Sequence, residues 1–432
     1  MVNYKKYSVG GFELKEPDYN WLWCLFQFFK EADITFEIFV SCILLQPSSW
    51  MEDEQEARII DGHLVFIDFA FIDSLACHTE NNLTQFDESQ NIKNKIKTLD
   101  FGDLPRLNKV FIDGNYFYRV SDFWQIKNLD FSKNIYLEEL KLLNTDIAKL
   151  DLSNQDSLKK LTVQNLQKIK LSNHAQLELL HSDLKIFNQL DLKNLADLKS
   201  LFLYTALNKF NLPHFANLEI LVIRDSWLFD QASECIDIDI INQPKIESVR
   251  LKGRIRANIQ NLPELKRLNF HGEVEQLSLQ NIPKLEIVSL RNTKDLKFLN
   301  GHKIIYLYLV GDCGDLGSLP LDSLESLSID GGDAFKISHL NLKGFNNLKF
   351  FSLTSLPDST DLNIDLSDKK CLDHIYLENV SINILDISNL KNLNTIYIIN
   401  SKIKTLICSS ELKNSLNSFV DQIENMVIRN LN

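Results

Sequence analysis

The stretch Leu277–Asn292 reads LSLQNIPKLEIVSLRN, and two hydrophobic phrases share it. The first, L-x-L-x-N-x-x-x-L, spans Leu277–Leu285. The second, L-x-x-L-x-L-x-[N/G], runs from Leu285 through Val288 and Leu290 to Asn292. Each contains an alternation of period two, the signature of a short strand with every second residue facing a core. Each ends on a turn former, and Asn and Gly tolerate the positive φ that a sharp corner needs.

The same pair of phrases recurs along the chain. Fourteen copies of the first align, with opening positions at Leu99, Leu129, Leu150, Ile169, Leu190, Phe210, Ile238, Ala257, Leu277, Leu296, Leu316, Leu340, Ile364 and Leu385. Eight residues on, every copy carries Leu or Ile, and most spacings are 19 to 21 residues. A period of that length marks a stack of identical units. Twenty residues leave no room for a long helix, so each coil reads as two short strands joined by two corners. Successive coils then stack as parallel strands about 4.8 Å apart. Leu184, where a turn former is expected, and Ser182, at an inward position, break the series. Asn154, Asn173, Asn194, Asn242, Asn261, Asn281, Asn300 and Asn389 share the first corner, where stacked amides can bond neighbouring coils.

Spacing, turn residues and period together resemble the leucine-rich repeat family, in short bacterial-type repeats of about 20 residues. The resemblance covers roughly residues 96–408. It implies a leucine-rich-repeat solenoid: a curved right-handed superhelix of predominantly short parallel β-strands with few helices, capped at both ends. It also implies a binding surface on the concave face. The chain departs from the commonest family pattern in its early turn Asn and very short convex segments.

Residues 1–95 do not fit the repeat and read as an N-terminal cap. Within them, the apolar run after Asp18 has helical character, Ile34–Leu45 alternates partly like a strand, and Leu64-x-x-Ile67-x-Phe69 matches a degenerate first coil. An open solenoid end exposes core and strand edges, so something must cover them. At the other end Leu412, Leu416, Phe419, Val420, Ile423, Met426 and Val427 follow helical spacing, which predicts a capping helix over 409–432.

The outward positions carry the remaining information. Along the expected concave face they hold Arg224, Arg250, Lys252, Arg267, His271 and Arg291, then Tyr306, Tyr308, Phe350, Tyr376 and Tyr397. Arg and Tyr are the typical chemistry of protein-binding hot spots. The other strand repeats Asp at Asp100, Asp130, Asp151, Asp191, Asp239, Asp365 and Asp386. Stacked like charges cost energy, unless these carboxylates bond the corner amides. Four coils are lengthened at one common point, residues 115–128, 226–237, 332–339 and 356–363. The first two are aromatic, with Tyr116, Phe117, Tyr118, Phe123, Trp124, Trp227 and Phe229. These rings either form a binding rim or fold back over the nearest coils.

A net charge of −12 argues against nucleic acid as the main partner and favours a basic partner protein. Seven scattered cysteines without CxxC pairing suit a reducing compartment. The N-terminus shows no apolar signal segment, and no apolar run is long enough to span a bilayer. The expectation is a cytoplasmic chain, monomeric when free, with no membrane partner.

Catalytic motifs are missing: there is no HExxH, GxSxG or GxxxxGK[ST]. Gly311–Gly317 superficially resembles a phosphate loop but lacks its Lys and sits on a repeat corner. Asp312, Asp315, Asp330 and Asp333 are accounted for by turns rather than by a hard cation. The chain therefore reads as a non-catalytic protein-binding scaffold with no cofactor. The preferred specific reading is an intracellular bacterial inhibitor or immunity protein that neutralises a toxin by binding it. A secreted bacterial effector that captures a host protein is one alternative. A hydrolase with an unrecognised site in the N-terminal region is the other.

Overall fold

The structure, a computed structural model, describes residues 5–9, 11–27, 36–45, 58–61, 63–69, 96–113, 125–143, 145–173, 176–191, 195–205, 209–225, 235–293, 296, 299, 301–311, 316, 321–332, 339–340, 342, 344–356, 362–413 and 422–429. The chain divides into two compact units, Met1–Thr205 and Ala206–Asn432. Both are β-solenoids of parallel strands with few helices.

In the first unit the two phrases form the two strands of each coil. Lys149–Leu152 pairs in parallel with Lys168–Leu171, Leu150 opposite Ile169. On the opposite side Glu139–Leu143, Lys160–Val163 and Leu179–Asp183 form a broad parallel sheet, with Leu140, Leu161 and Leu180 in one row. One coil shows why this register holds. Leu150, Leu152, Leu158, Leu161 and Val163 are all buried, and a one-residue slip would turn them to water. Burying an aliphatic side chain contributes roughly 1.5–3 kcal/mol before chain entropy is subtracted, so each coil carries its own small core. The irregular coil has a local explanation. Ser182 lies buried on the inward side, and Leu184–Phe187 forms one helical turn that places Ile186 and Phe187 in the core.

The broad sheet begins ahead of the repeat. Phe66–Asp68 joins it with Phe66 opposite Lys109 and Ile67 opposite Val110, and Leu64, Ile67 and Phe69 are fully buried. Helix α1 (Glu16–Phe26) starts two residues before Asp18, with Pro in its first turn. Its Trp21 donates to the Asp100 carbonyl at 2.8 Å and stacks on Phe101. Asp18 is buried within α1, where its carboxylate accepts from the Leu64 N–H at 3.0 Å and meets His63 at 3.0 Å. That contact ties the helix to the first rung. The strand expected over Ile34–Leu45 is instead helix α2 (Phe36–Leu45). Phe39, Val40, Ile43 and Leu44 are buried, at a helical spacing that a continuous apolar run conceals from any period count.

The second unit repeats the plan. Its broad sheet runs from Ile220–Asp225 through Ser248–Lys252, Ile287–Arg291, Tyr306–Val310, Ser326–Asp330, Phe350–Thr354 and His374–Glu378 to Thr395–Ile399. Arg267–Gln280 contributes to this sheet with its first half and pairs with Ile255–Gln260 with its second. Corner residues adopt the conformation their chemistry allows. Asn292, Ser355, Asn379 and Asn400 have φ between 48° and 57°, and Gly311 has φ of 72°. At Gly311 a Cβ would also lie 2.0 Å from the Asn292 amide oxygen, so any larger residue there would displace that side chain.

The capping helix expected over 409–432 is corrected. Among the described residues Ser410–Lys413 is helical, whereas Ile423–Arg429 is a strand pairing in parallel with Lys402–Ser409. Leu416, Phe419 and Val420 lie outside the described residues. The run from Ile423 fits a strand because pairing satisfies the backbone groups of Lys402–Ser409, which a helix would leave open. Val427 and Ile428 stay about half exposed, so this rung is held by backbone bonds more than by burial.

Candidate interaction surface

Parallel in-register pairing converts positions in the repeat into straight lanes across the broad sheet. In the second unit one lane reads Ser248, Arg267, Ile287, Tyr306, Ser326, Phe350, His374, Thr395. The central lane reads Val222, Arg250, Asn269, Ser289, Tyr308, Ser328, Ser352, Tyr376, Tyr397. A third aligns Arg224, Lys252 and His271, and Arg291 stands beyond them, in register with Glu273 on one side and Val310 on the other. The structure thus brings every residue expected on the concave face onto one outer sheet face of one unit. The aromatic residues expected in the edge loops, at 116–118, 123–124, 227 and 229, lie outside the described residues.

The cations form a cluster. His271 sits among Arg250, Arg224, Lys252 and Arg291, and its imidazole is held below its ordinary value, first by burial and then by those four charges. None of Arg224, Arg250, Lys252, Arg267 or Arg291 lies within ion-pair reach of a carboxylate among the described residues. Several cations elsewhere in the same unit are matched. Arg256 meets Asp237 at 2.6 Å, Arg254 meets Glu273 and Glu275, Lys266 meets Glu247 at 3.2 Å and Lys284 meets Glu264 at 2.6 Å. The first unit follows the same habit, with Lys159 on Glu138 and Lys199 on Glu178. What distinguishes the cluster is that its cations lie together, around His271.

Beyond the cluster the face turns aromatic. Tyr306, Tyr308, Phe350 and Tyr397 are exposed, at 49%, 42%, 37% and 52%. Tyr376 donates from its hydroxyl to Glu378 at 2.7 Å, and its ring lies 6.2 Å from that of Tyr397. Burial and the Asp330 charge push the Tyr308 phenol up, while Arg291 pulls it down, which places this ring between the two halves of the face. Sequence reading overlooked the serines. Ser326 separates Tyr306 from Phe350, and Ser328 and Ser352 separate Tyr308 from Tyr376. Small residues between large ones at one repeat position were the available signal.

The Asp lane on the other sheet has a structural role. Asp100, Asp130, Asp151, Asp365 and Asp386 each accept the backbone N–H two residues on, at 2.7–3.1 Å. Three also accept the following Ser hydroxyl. Each carboxylate thereby closes its own corner, the local bond for which Asp is favoured in turns. The corner amides behave in two ways. Asn154 donates to the Ser132 carbonyl of the neighbouring coil at 3.3 Å, as expected, whereas Asn281 donates to Asn261 and Asn261 to Asn242, each at 2.7 Å, so these three bond one another. The residue one place later also reaches backbone, as when Gln155 donates to the Phe131 carbonyl and Gln243 to that of Pro213.

Among the described residues no group of three or more His, Cys, Asp or Glu could hold a metal ion. No described helix is long and apolar enough to cross a membrane.

Taken together, the in-register lanes, the left-handed Asn and Gly corners and the twenty-residue coils define a β-solenoid with repeats of the leucine-rich type. No family model matches the chain, and no curated protein does. Among solved structures it is similar to an internalin (inlF) from Listeria monocytogenes, at 16% identity over 83% of this chain and 94% of that one, TM-score 0.27. It is also similar to the functional domain of InlJ from Listeria monocytogenes, at 14% identity over 80% and 74%, TM-score 0.26. The plant peptide hormone receptor RGFR1, solved in complex with RGF2, matches at 15% identity over 78% of this chain and 59% of that one, TM-score 0.27.

Proposed function

We propose that this chain is a non-catalytic protein-binding scaffold. Its partner docks an acidic surface on the broad sheet of the Ala206–Asn432 unit. The observation that carries this reading is the set of five cations on one sheet face, Arg224, Arg250, Lys252, Arg267 and Arg291, none within 4.0 Å of a carboxylate among the described residues. Charges held together on a rigid sheet repel one another, and an acidic partner relieves that repulsion while fixing its own orientation. The chain's net charge of −12 favours basic partners at long range, but at contact the local cluster decides the sign. Within this class, we read the protein as an intracellular bacterial inhibitor or immunity protein that neutralises a toxin by covering it. Support comes from a rigid repeat fold that presents a broad, preformed sheet face to a partner.

The test is a capture from native lysate with wild-type protein and with the triple variant R250E/R267E/R291E. A specific partner is expected to bind wild type and to lose on the order of 100-fold or more in affinity for the variant. The variant should melt at the wild-type temperature, since the three side chains point to solvent. Equal affinity for both proteins would overturn the docking surface. The inhibitor reading has its own check. The captured protein, produced alone in a surrogate host, should arrest growth, and co-production of this chain should restore it. A harmless partner would exclude that reading and leave the scaffold class standing.

A further inference from the structure

The aromatic half of the face contains a built recess. Tyr306, Ser326 and Phe350 lie on three consecutive rungs of one lane. The two rings flank an open slot of about 430 Å³ floored by Ser326 and bordered by Glu325 and Lys349, which are paired to each other at 2.9 Å. Neighbouring rungs stand about 4.8 Å apart, so the walls are set roughly 9–10 Å apart. A planar ring placed midway would sit about 5 Å from each wall, within the 4.5–7 Å range of favourable aromatic pairs. A larger residue at 326 would fill that space.

The charge nearby selects what enters. Arg267 lies two rungs from Tyr306 in the same lane, and Arg291 lies one rung away. An incoming Arg or Lys would meet these cations, whereas an uncharged ring would not. Arg267 lies three steps from Ser326 in the same lane, roughly 14 Å, which an extended chain covers in about four residues. Arg291 is two steps away and four residues along its strand, roughly 16 Å, or about five residues.

We infer that the Tyr306–Phe350 slot receives an aromatic side chain of the partner, on a segment that also carries acidic residues about four to five positions away for Arg267 and Arg291. This inference rests on the broad sheet being the docking surface and specifies the chemistry of what docks.

The experiment measures binding of dye-labelled peptides by fluorescence anisotropy, with the full chain. The first peptide is Glu-Asp-Glu-Gly-Ser-Gly-Trp, the second replaces Trp with Ala, and the third replaces the acids with Gln and Asn. Wild type should bind the first about tenfold tighter than the second. Ser326→Phe, which fills the slot, should bring that ratio below about twofold without changing affinity for the Ala peptide. A second variant, Tyr306→Ser with Phe350→Ser, removes the walls and should act the same way. A Trp preference that is absent in wild type, or that survives both variants, overturns the slot and leaves the cation cluster intact. Equal binding of the neutral peptide, or undiminished binding by R250E/R267E/R291E, overturns the acidic-docking reading itself. A single-stranded oligonucleotide that displaces the first peptide from wild type and binds Ser326→Phe undiminished would replace the protein partner with nucleic acid.

Discussion

Replacing Asn261 with Ala tests the corner ladder most directly, because two separate effects meet at that residue. Its amide donates to Asn242 and accepts from Asn281, both at 2.7 Å, and its backbone sits at φ of 56°. Losing two hydrogen bonds costs about 0.5–1.5 kcal/mol each, with the lower end apt here because the corner is exposed to water. An Ala forced into the left-handed region adds about 1–2 kcal/mol. The sum is about 2–4 kcal/mol, large for one surface residue. Asn261→Gly removes the same bonds but relieves the backbone, so it should cost about 1 kcal/mol less than Ala. The assay is amide exchange at the corner, where the Asn261 N–H donates to the Gln280 carbonyl and the Asn242 N–H to that of Gln260. Both amides should exchange on the order of 30-fold faster or more in Asn261→Ala. Less acceleration in Ala than in Gly, or none in either, would refute the reasoning.

Two further predictions follow from charge. Arg429 reaches the buried Asp386 at 2.9 Å and thereby pins the last strand, so Arg429→Ala should cost about 0.5–1 kcal/mol and raise exchange across Ile423–Arg429 while leaving Lys402–Ser409 nearly unchanged. Equal exchange in both proteins would show the strand to be held by backbone pairing alone. Bonds from Lys170 and Ser153 hold the Asp151 carboxyl down at about 2. A depressed carboxylate contributes stability above its ordinary range, and that contribution is lost as pH falls towards about 2. Asp151→Asn should therefore lower the melting temperature slightly at pH 6 and not at pH 2, and in Lys170→Ala the Asp151 carboxyl should titrate higher. A melting difference independent of pH would refute this.

Much of the site was legible because strands alternate strictly and coils repeat. Arg250, Arg267 and Tyr306 could be assigned to an outer face by counting, as could the left-handed corners at Asn165, Asn292 and Asn379. Counting failed where a segment lacks repeat context. Ile34–Leu45 is apolar throughout, so neither period stands out, and packing of Phe39 and Ile43 decided for helix. Ile423–Val427 carries apolar residues at spacings that suit a helix, yet an unsatisfied strand edge beside it decided for a strand.

What the sequence determined by itself is the coil: its length, its inward Leu positions, its turn residues and the lane each outward side chain occupies. These depend on interactions within about twenty residues, so they can be read locally. Only the tertiary structure decided which charges are spent on neighbours and which remain. Asp100 and Asp151 look like a free acidic lane but close their own corners, while Arg250 and Arg267 look ordinary yet have no carboxylate within 4.0 Å among the described residues. The physical reason is that ion pairs and slots form between rungs. Whether two side chains meet depends on the register and spacing of separate coils, which no single repeat encodes.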